Sequence, residues 1–219
     1  MIKIKKGLDL PISGMPSPVI TDTPTVNSVS LLSNDFIGMK PTMLVKTGDL
    51  VKVGTKIFED KKNPGVFFTS PAGGTISSIN RGDKRKFLSV EIDISVDEEY
   101  INFNYDNNES SLRNLLIESG LWNAFRTRPF NRTPSIDAIP DAVFINCCDT
   151  NPLSVDPYEI INSDYKNFEL ALDALKILFK SPLHLCYQNA NFNTANDGIN
   201  YHQFTGPHPA GLSSTHISS

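Results

Sequence analysis

Ala142-Val-Phe-Ile-Asn-Cys-Cys-Asp-Thr-Asn-Pro152 is a mostly apolar run that closes on turn-forming residues. Bounded in this way, residues 142–147 are predicted to form a buried strand. Phe168, Ala171, Leu172, Leu175, Leu178 and Phe179 then recur at helical spacing, and Pro182 stands just past the last of them. Leu183–Tyr187 reads as a further strand directly afterwards. A strand–helix–strand order requires a crossover connection, and so implies a parallel pair. The turn Asp149-Thr150-Asn151-Pro152 follows the first strand's carboxyl end, where open α/β sheets place ligand crevices. The same residues also make an ordinary turn, because Asp and Asn cap locally and Pro pins the chain. The two readings weigh equally.

The first hundred residues differ in kind. Short β-like runs at Val29–Leu32, Met43–Val45, Lys56–Phe58, Val66–Thr69, Thr75–Ile79 and Phe87–Ile94 alternate with turn signals at 47–49, 63–65, 72–74 and 81–83. That spacing predicts a small folded-over β barrel or sandwich. An acidic, Asn-rich stretch at Ser95–Asn108 reads as a linker, after which Asn108 or Ser110 can cap a helix carrying Leu112, Leu115 and Leu116 and ending at Gly120. The fold class expected is therefore α+β: a β-rich barrel-sandwich domain over residues 1–100 and an α/β, Rossmann-like domain over 101–219. The polar closing stretch, Asn189–Ser219, offers no obvious strand, so the second domain is expected to be incomplete at its C-terminus.

Composition excludes several classes. A formal net charge of -4 argues against a nucleic-acid partner, which would call for a basic stripe. Lysines and arginines gather only at Lys3–Lys6 and Arg81–Lys86, each read as a solvated face. No run approaches the roughly 18 apolar residues of a membrane helix. Cys147, Cys148 and Cys186 are too few and too irregular for a disulfide framework and read as small buried hydrophobes. His184 alternates with Leu183 and Leu185 as a strand histidine, while His202, His208 and His216 lie in the polar tail. No metal site is expected.

No phosphate-binding glycine motif occurs. The place for one, around residues 120–135, holds Trp122, Phe125 and Phe130, whose side chains would keep phosphates from the backbone N–H groups. Arg126 and Arg128 could bind an anion there, with pairing to a carboxylate the better expectation. The β region also resembles a biotinyl/lipoyl hairpin fold through Val45–Gly54, Glu59–Lys62 and Ser70–Ile76, which makes Lys61 and Lys62 candidates for a carrier lysine. Asn63-Pro64-Gly65 lengthens that turn beyond the carrier pattern, so no modification is expected there.

Lys5–Gly14, the Gly38–Ile94 region, Gly120–Phe130, Val143–Leu153 and Phe204–Leu212 together resemble the A subunit of the sodium-translocating NADH:quinone oxidoreductase of bacteria, in order and over essentially the whole chain. Members of that family run well past Ile217. The resemblance implies a peripheral subunit on the cytoplasmic face of the bacterial inner membrane, soluble when isolated and partnered by the membrane subunits of the complex. The complex as a whole uses flavins, iron–sulfur, NADH and ubiquinone, and couples their chemistry to Na⁺ export. It also implies kinship with the NADH- and flavin-binding subunit of respiratory complex I. This chain keeps the acidic turn of that relative and lacks its glycines. Hence no catalytic residue and no cofactor are expected in the chain itself, with Asp149, Thr150, Asn151, Arg126 and Arg128 as vestigial binding candidates. A quinone is a further candidate partner. The rival expectation is a flavin- or nicotinamide-binding redox protein with its site at the Asp149 turn.

Overall fold

A computed structural model describes all residues of the chain except Met15, Pro18, Ile20, Asp22, Thr23 and Ala190. Strand β1 (Ile2–Lys3) is followed by seven strands, β2 (Ser28–Leu32), β3 (Pro41–Met43), β4 (Leu50–Val51), β5 (Lys56–Asp60), β6 (Phe67–Thr69), β7 (Gly74–Arg81) and β8 (Phe87–Ile94). Then come helix α1 (Glu109–Glu118), strand β9 (Val143–Cys147), helices α2 (Pro157–Ser163) and α3 (Tyr165–Leu178), strands β10 (Leu183–Tyr187) and β11 (Ile199–Thr205), and helix α4 (Ser213–Ser218). No helix among the described residues is long and apolar enough to cross a membrane.

The chain packs as two compact units, one of Asp22–Ala138 and one of Met1–Thr21 with Ile139–Ser219. Local contacts explain why the β-rich unit extends to Ala138. The acidic stretch expected to be a linker is laced onto the β-rich unit: Val53 N donates to Glu99 O at 2.8 Å and Ile101 N to Val53 O at 2.9 Å. Helix α1 stays with that unit too. Asn108 Oδ1 accepts from Ser111 N to cap it, and Gly120 (φ +79°) ends it with the backbone so close to Thr69 that a Cβ would lie 2.5 Å from Thr69 Oγ1.

In the β-rich unit the antiparallel order β2-β8-β7-β4 forms one sheet and β3-β5-β6 a second. Ile57, Phe58, Val66, Phe68, Ile76, Phe87, Val90 and Ile92 make up the unit's buried apolar core. Phe58 joins the sheets, stacking on Phe68 at 4.6 Å and meeting Phe87 edge-on at 5.3 Å. Trp122 is buried in this same unit, its indole N–H donating to Pro134 O at 3.0 Å.

In the other unit all four strands are parallel, in the order β1-β11-β10-β9. The predicted pair β9–β10 is present, joined by α2 and α3, with Leu172, Leu178, Leu183 and Leu185 buried in the core. The expectation that Asn189–Ser219 lacks a strand fails at β11. Ile-Asn-Tyr-His-Gln-Phe-Thr buries only Ile199 and Phe204, so hydropathy alone passes over it. The expected barrel-sandwich and α/β folds are both found, and the N-terminal strand is the addition.

Candidate functional site

The parallel sheet sends β9, β10 and β11 out at one edge, and the Asp149 turn stands at the end of β9. Asp149 Oδ1 accepts from both the backbone N and the Nδ2 of Asn151, each at 2.8 Å. Ser154 Oγ donates to Asn151 O at 2.7 Å and completes the turn. The carboxylate oxygen is thus engaged in shaping its own loop, as an Asx turn does.

The segment leaving β11 folds over this turn. Thr150 Oγ1 accepts from Gly211 N at 2.9 Å and lies 3.1 Å from His208 Nδ1. Asn146 Nδ2 donates to Gly211 O at 3.1 Å, and Asn146 Oδ1 accepts from Cys148 N at 2.9 Å. Gly211 sits so close that a Cβ there would lie 2.5 Å from Thr150 N and 2.9 Å from the Asp149 carbonyl carbon. From the chain's start, Asp9 Oδ1 accepts from His208 N at 2.9 Å, and Leu8 N donates to His208 O at 2.9 Å. The crevice position is filled by the protein itself. No local sequence signal marks Gly211 or His208 as partners of the turn, because they are about sixty residues away.

The structure unites Asp149, Thr150 and Asn151 in this turn. Arg126 and Arg128 belong to the other unit. Among the described residues Arg126 has no carboxylate partner: its Nη1 donates to the carbonyls of Asn123 and Phe125, and its guanidinium lies 5.7 Å from the Phe36 ring centre. Arg128 is exposed, in the short loop closed by Thr127 N donating to Arg132 O at 2.8 Å. The steric block expected around 120–135 also reads differently in place, since Trp122 is core and Phe130 is 71% exposed.

The cysteines are buried, as the sequence implies, and burial pushes the thiols of Cys147 and Cys186 up to about 12, with Cys148 displaced in the same direction. They stay protonated, packed as apolar groups. His184 is sandwiched between Phe144 (4.8 Å) and His202 (5.1 Å), and its Nδ1 lies 2.9 Å from His202 Nε2. His216 is buried against Phe204 at 4.2 Å, and its Nε2–H donates to Ala210 O at 2.7 Å.

The residues of these two packing clusters also set a pH dependence. Burial lowers His216 below 6.5, and burial followed by the charge of His202 lowers His184. A folded-state value below the unfolded one means the unfolded chain takes up protons first. Stability contributed by these rings is therefore complete above about pH 6.5 and is lost as pH falls below it. The melting temperature of the α/β unit should drop on acidification through that range, and less steeply in His216→Gln. A flat profile in the wild type would contradict this.

Comparison with known sequences bears on the same two units. The family model described as the NqrA N-terminal barrel-sandwich hybrid domain matches residues 2–95, and the NqrA second alpha/beta domain matches residues 107–219. The chain belongs to the NqrA family. It is 47% identical over 228 residues to the A subunit of the Na(+)-translocating NADH-quinone reductase of Actinobacillus pleuropneumoniae, covering 99% of this chain and 51% of that protein. The corresponding NqrA protein of Haemophilus influenzae is 48% identical over 226 residues with the same coverage. The chain thus spans about half the length of the curated NqrA relatives it matches. The family domains follow the chain's linear order, whereas residues 1–21 pack in the unit that holds the second domain's sheet.

Proposed function

We propose that this NqrA chain serves as a peripheral docking subunit of a complex that couples NADH oxidation and ubiquinone reduction to Na⁺ export. It binds the membrane subunits of that complex at the cytoplasmic face of the bacterial inner membrane. In this reading the flavin, iron–sulfur and nicotinamide chemistry belongs to the other subunits.

The observation that supports it is the filled crevice. A bound dinucleotide would need exposed backbone N–H groups at the strand ends. Here Thr150 receives Gly211 N, and Gly211 stands against the turn backbone with no room for even one added carbon. A carrier role is disfavoured by a separate observation. The Lys61–Lys62 turn does not project freely: Asn63 Nδ2 donates to Pro134 O at 2.9 Å, and Asp60 Oδ1 accepts from Lys40 N and Lys62 N, each at 3.0 Å.

The test has two parts. Full-length protein drawn from native membranes should bring the other reductase subunits with it. Calorimetry of the purified chain should detect no binding of FMN or NADH. Affinity near micromolar for either, on the order of -8 kcal/mol, would support the rival redox reading instead.

A further inference from the structure

The β-rich unit carries a cleft of about 470 Å³ that the docking role does not use, within the size range of small-molecule sites. Its rim brings together Lys40, Arg81, Lys84, Arg85 and Lys86, and among the described residues no carboxylate lines it, neighbouring Asp35 and Asp83 taking no part. These residues are a quarter of the chain's 20 lysines and arginines, in a protein whose net charge is -4. All five are exposed, and among the described residues none of them forms an ion pair with a carboxylate. Arg81 Nη1 instead donates to Arg85 O at 3.4 Å, holding the loop between β7 and β8 closed. Lys84 and Arg85 take φ of 54° and 60°, a region that side-chain-bearing residues seldom occupy. Phe36, Ile37, Met39 and Phe87 supply an apolar wall, with Phe87 buried.

Five like charges gathered at one cleft repel one another unless an anion sits among them. Guanidinium and ammonium donors converging from two loops suit oxygen-rich anions of more than one charge, and the apolar wall suits a carbon body attached to them. We infer that this cleft binds a phosphate ester bearing at least two negative charges, either a soluble one or the headgroup of an anionic lipid. The inference is independent of the docking role.

Two probes distinguish the sources. Inorganic pyrophosphate is titrated calorimetrically into the chain, and the chain is sedimented with phosphatidylcholine vesicles with and without phosphatidic acid. Saturable pyrophosphate binding is expected for a soluble ligand. Sedimentation only with phosphatidic acid, without pyrophosphate binding, is expected for a lipid one. In either case Arg81→Gln with Lys86→Gln should weaken binding about ten-fold or more, while Lys5→Gln with Lys6→Gln, removing the same charge outside the cleft, should leave it unchanged. Both pairs are exposed, so circular dichroism should be that of the wild type. Binding to neither probe, or equal weakening by the two double variants, overturns the inference.

Discussion

Replacing Gly206 by alanine should destabilise the α/β unit by about 2–6 kcal/mol, the sum of a backbone and a packing cost. Gly206 follows β11 and has φ +123°, where a side chain is strained whatever the space around it. Space is also missing. A Cβ there would lie 2.2 Å from Ile4 O and 3.0 Å from Ile4 C, atoms of the backbone segment that runs on from β1. Backbone cannot swing aside as a side-chain tip can, so relief requires β1 to part from β11, breaking the bond in which Ile4 N donates to Thr205 O at 2.8 Å. Gly14 gives the control within the same unit. Its φ is +110° with nothing within 4 Å of the added carbon, so Gly14→Ala carries the backbone cost alone. Chemical denaturation should rank the three proteins wild type, Gly14→Ala, Gly206→Ala in falling stability. Equal loss in both variants would show that the close approach of β1 to this segment contributes nothing.

That close approach was not legible in the sequence, and the reason is general. The β9–α3–β10 unit could be read because its apolar residues recur at local periods and Pro182 and the Asp149 turn punctuate them. Strand β11 could not. It carries polar residues, most of them half-buried, along most of its length, and one of its partners, β1, lies some two hundred residues earlier. The supposed linker at 95–108 has a linker's composition, yet its backbone bonds to Val53, a contact that leaves no trace in side-chain pattern. The candidate site divides along the same line. Asp149 and Asn151 announce their turn by residue type alone, while Gly211 and His208, which fill the crevice above it, are fixed only by the fold. Arg126 looked like an anion or carboxylate partner, but the short loop turns it onto its own carbonyls. Arg81–Lys86 read as solvated surface and Lys40 carried no signal, and only the packing of residues 33–41 beside the β7–β8 loop makes them one cleft.

On the proposed docking role, a complex assembled with protein carrying Asp149→Ala should keep its quinone-reductase turnover and fall in yield. The expectation follows from what the carboxylate does. Its Oδ1 holds two donors of Asn151 inside one turn, and the turn in turn supports Thr150, onto which Gly211 closes. Removing such an acceptor leaves exposed backbone and amide groups to water at a net cost of about 0.5–1.5 kcal/mol, enough to lower the population of correctly folded protein that can enter assembly. A residue that moved a proton in the reaction would behave otherwise. Its loss typically costs a hundred-fold or more in rate, on the order of 3 kcal/mol in the barrier, with assembly untouched. The two effects differ in kind, so yield and turnover per complex must be measured on the same preparation. Thr150→Ala extends the comparison, because it removes the acceptor for Gly211 N without altering the chain's charge, and it should reproduce the pattern of Asp149→Ala. Normal yield with collapsed turnover in either variant would place a substrate or a chemical step at the end of β9, where the chain's own His208 and Gly211 now lie.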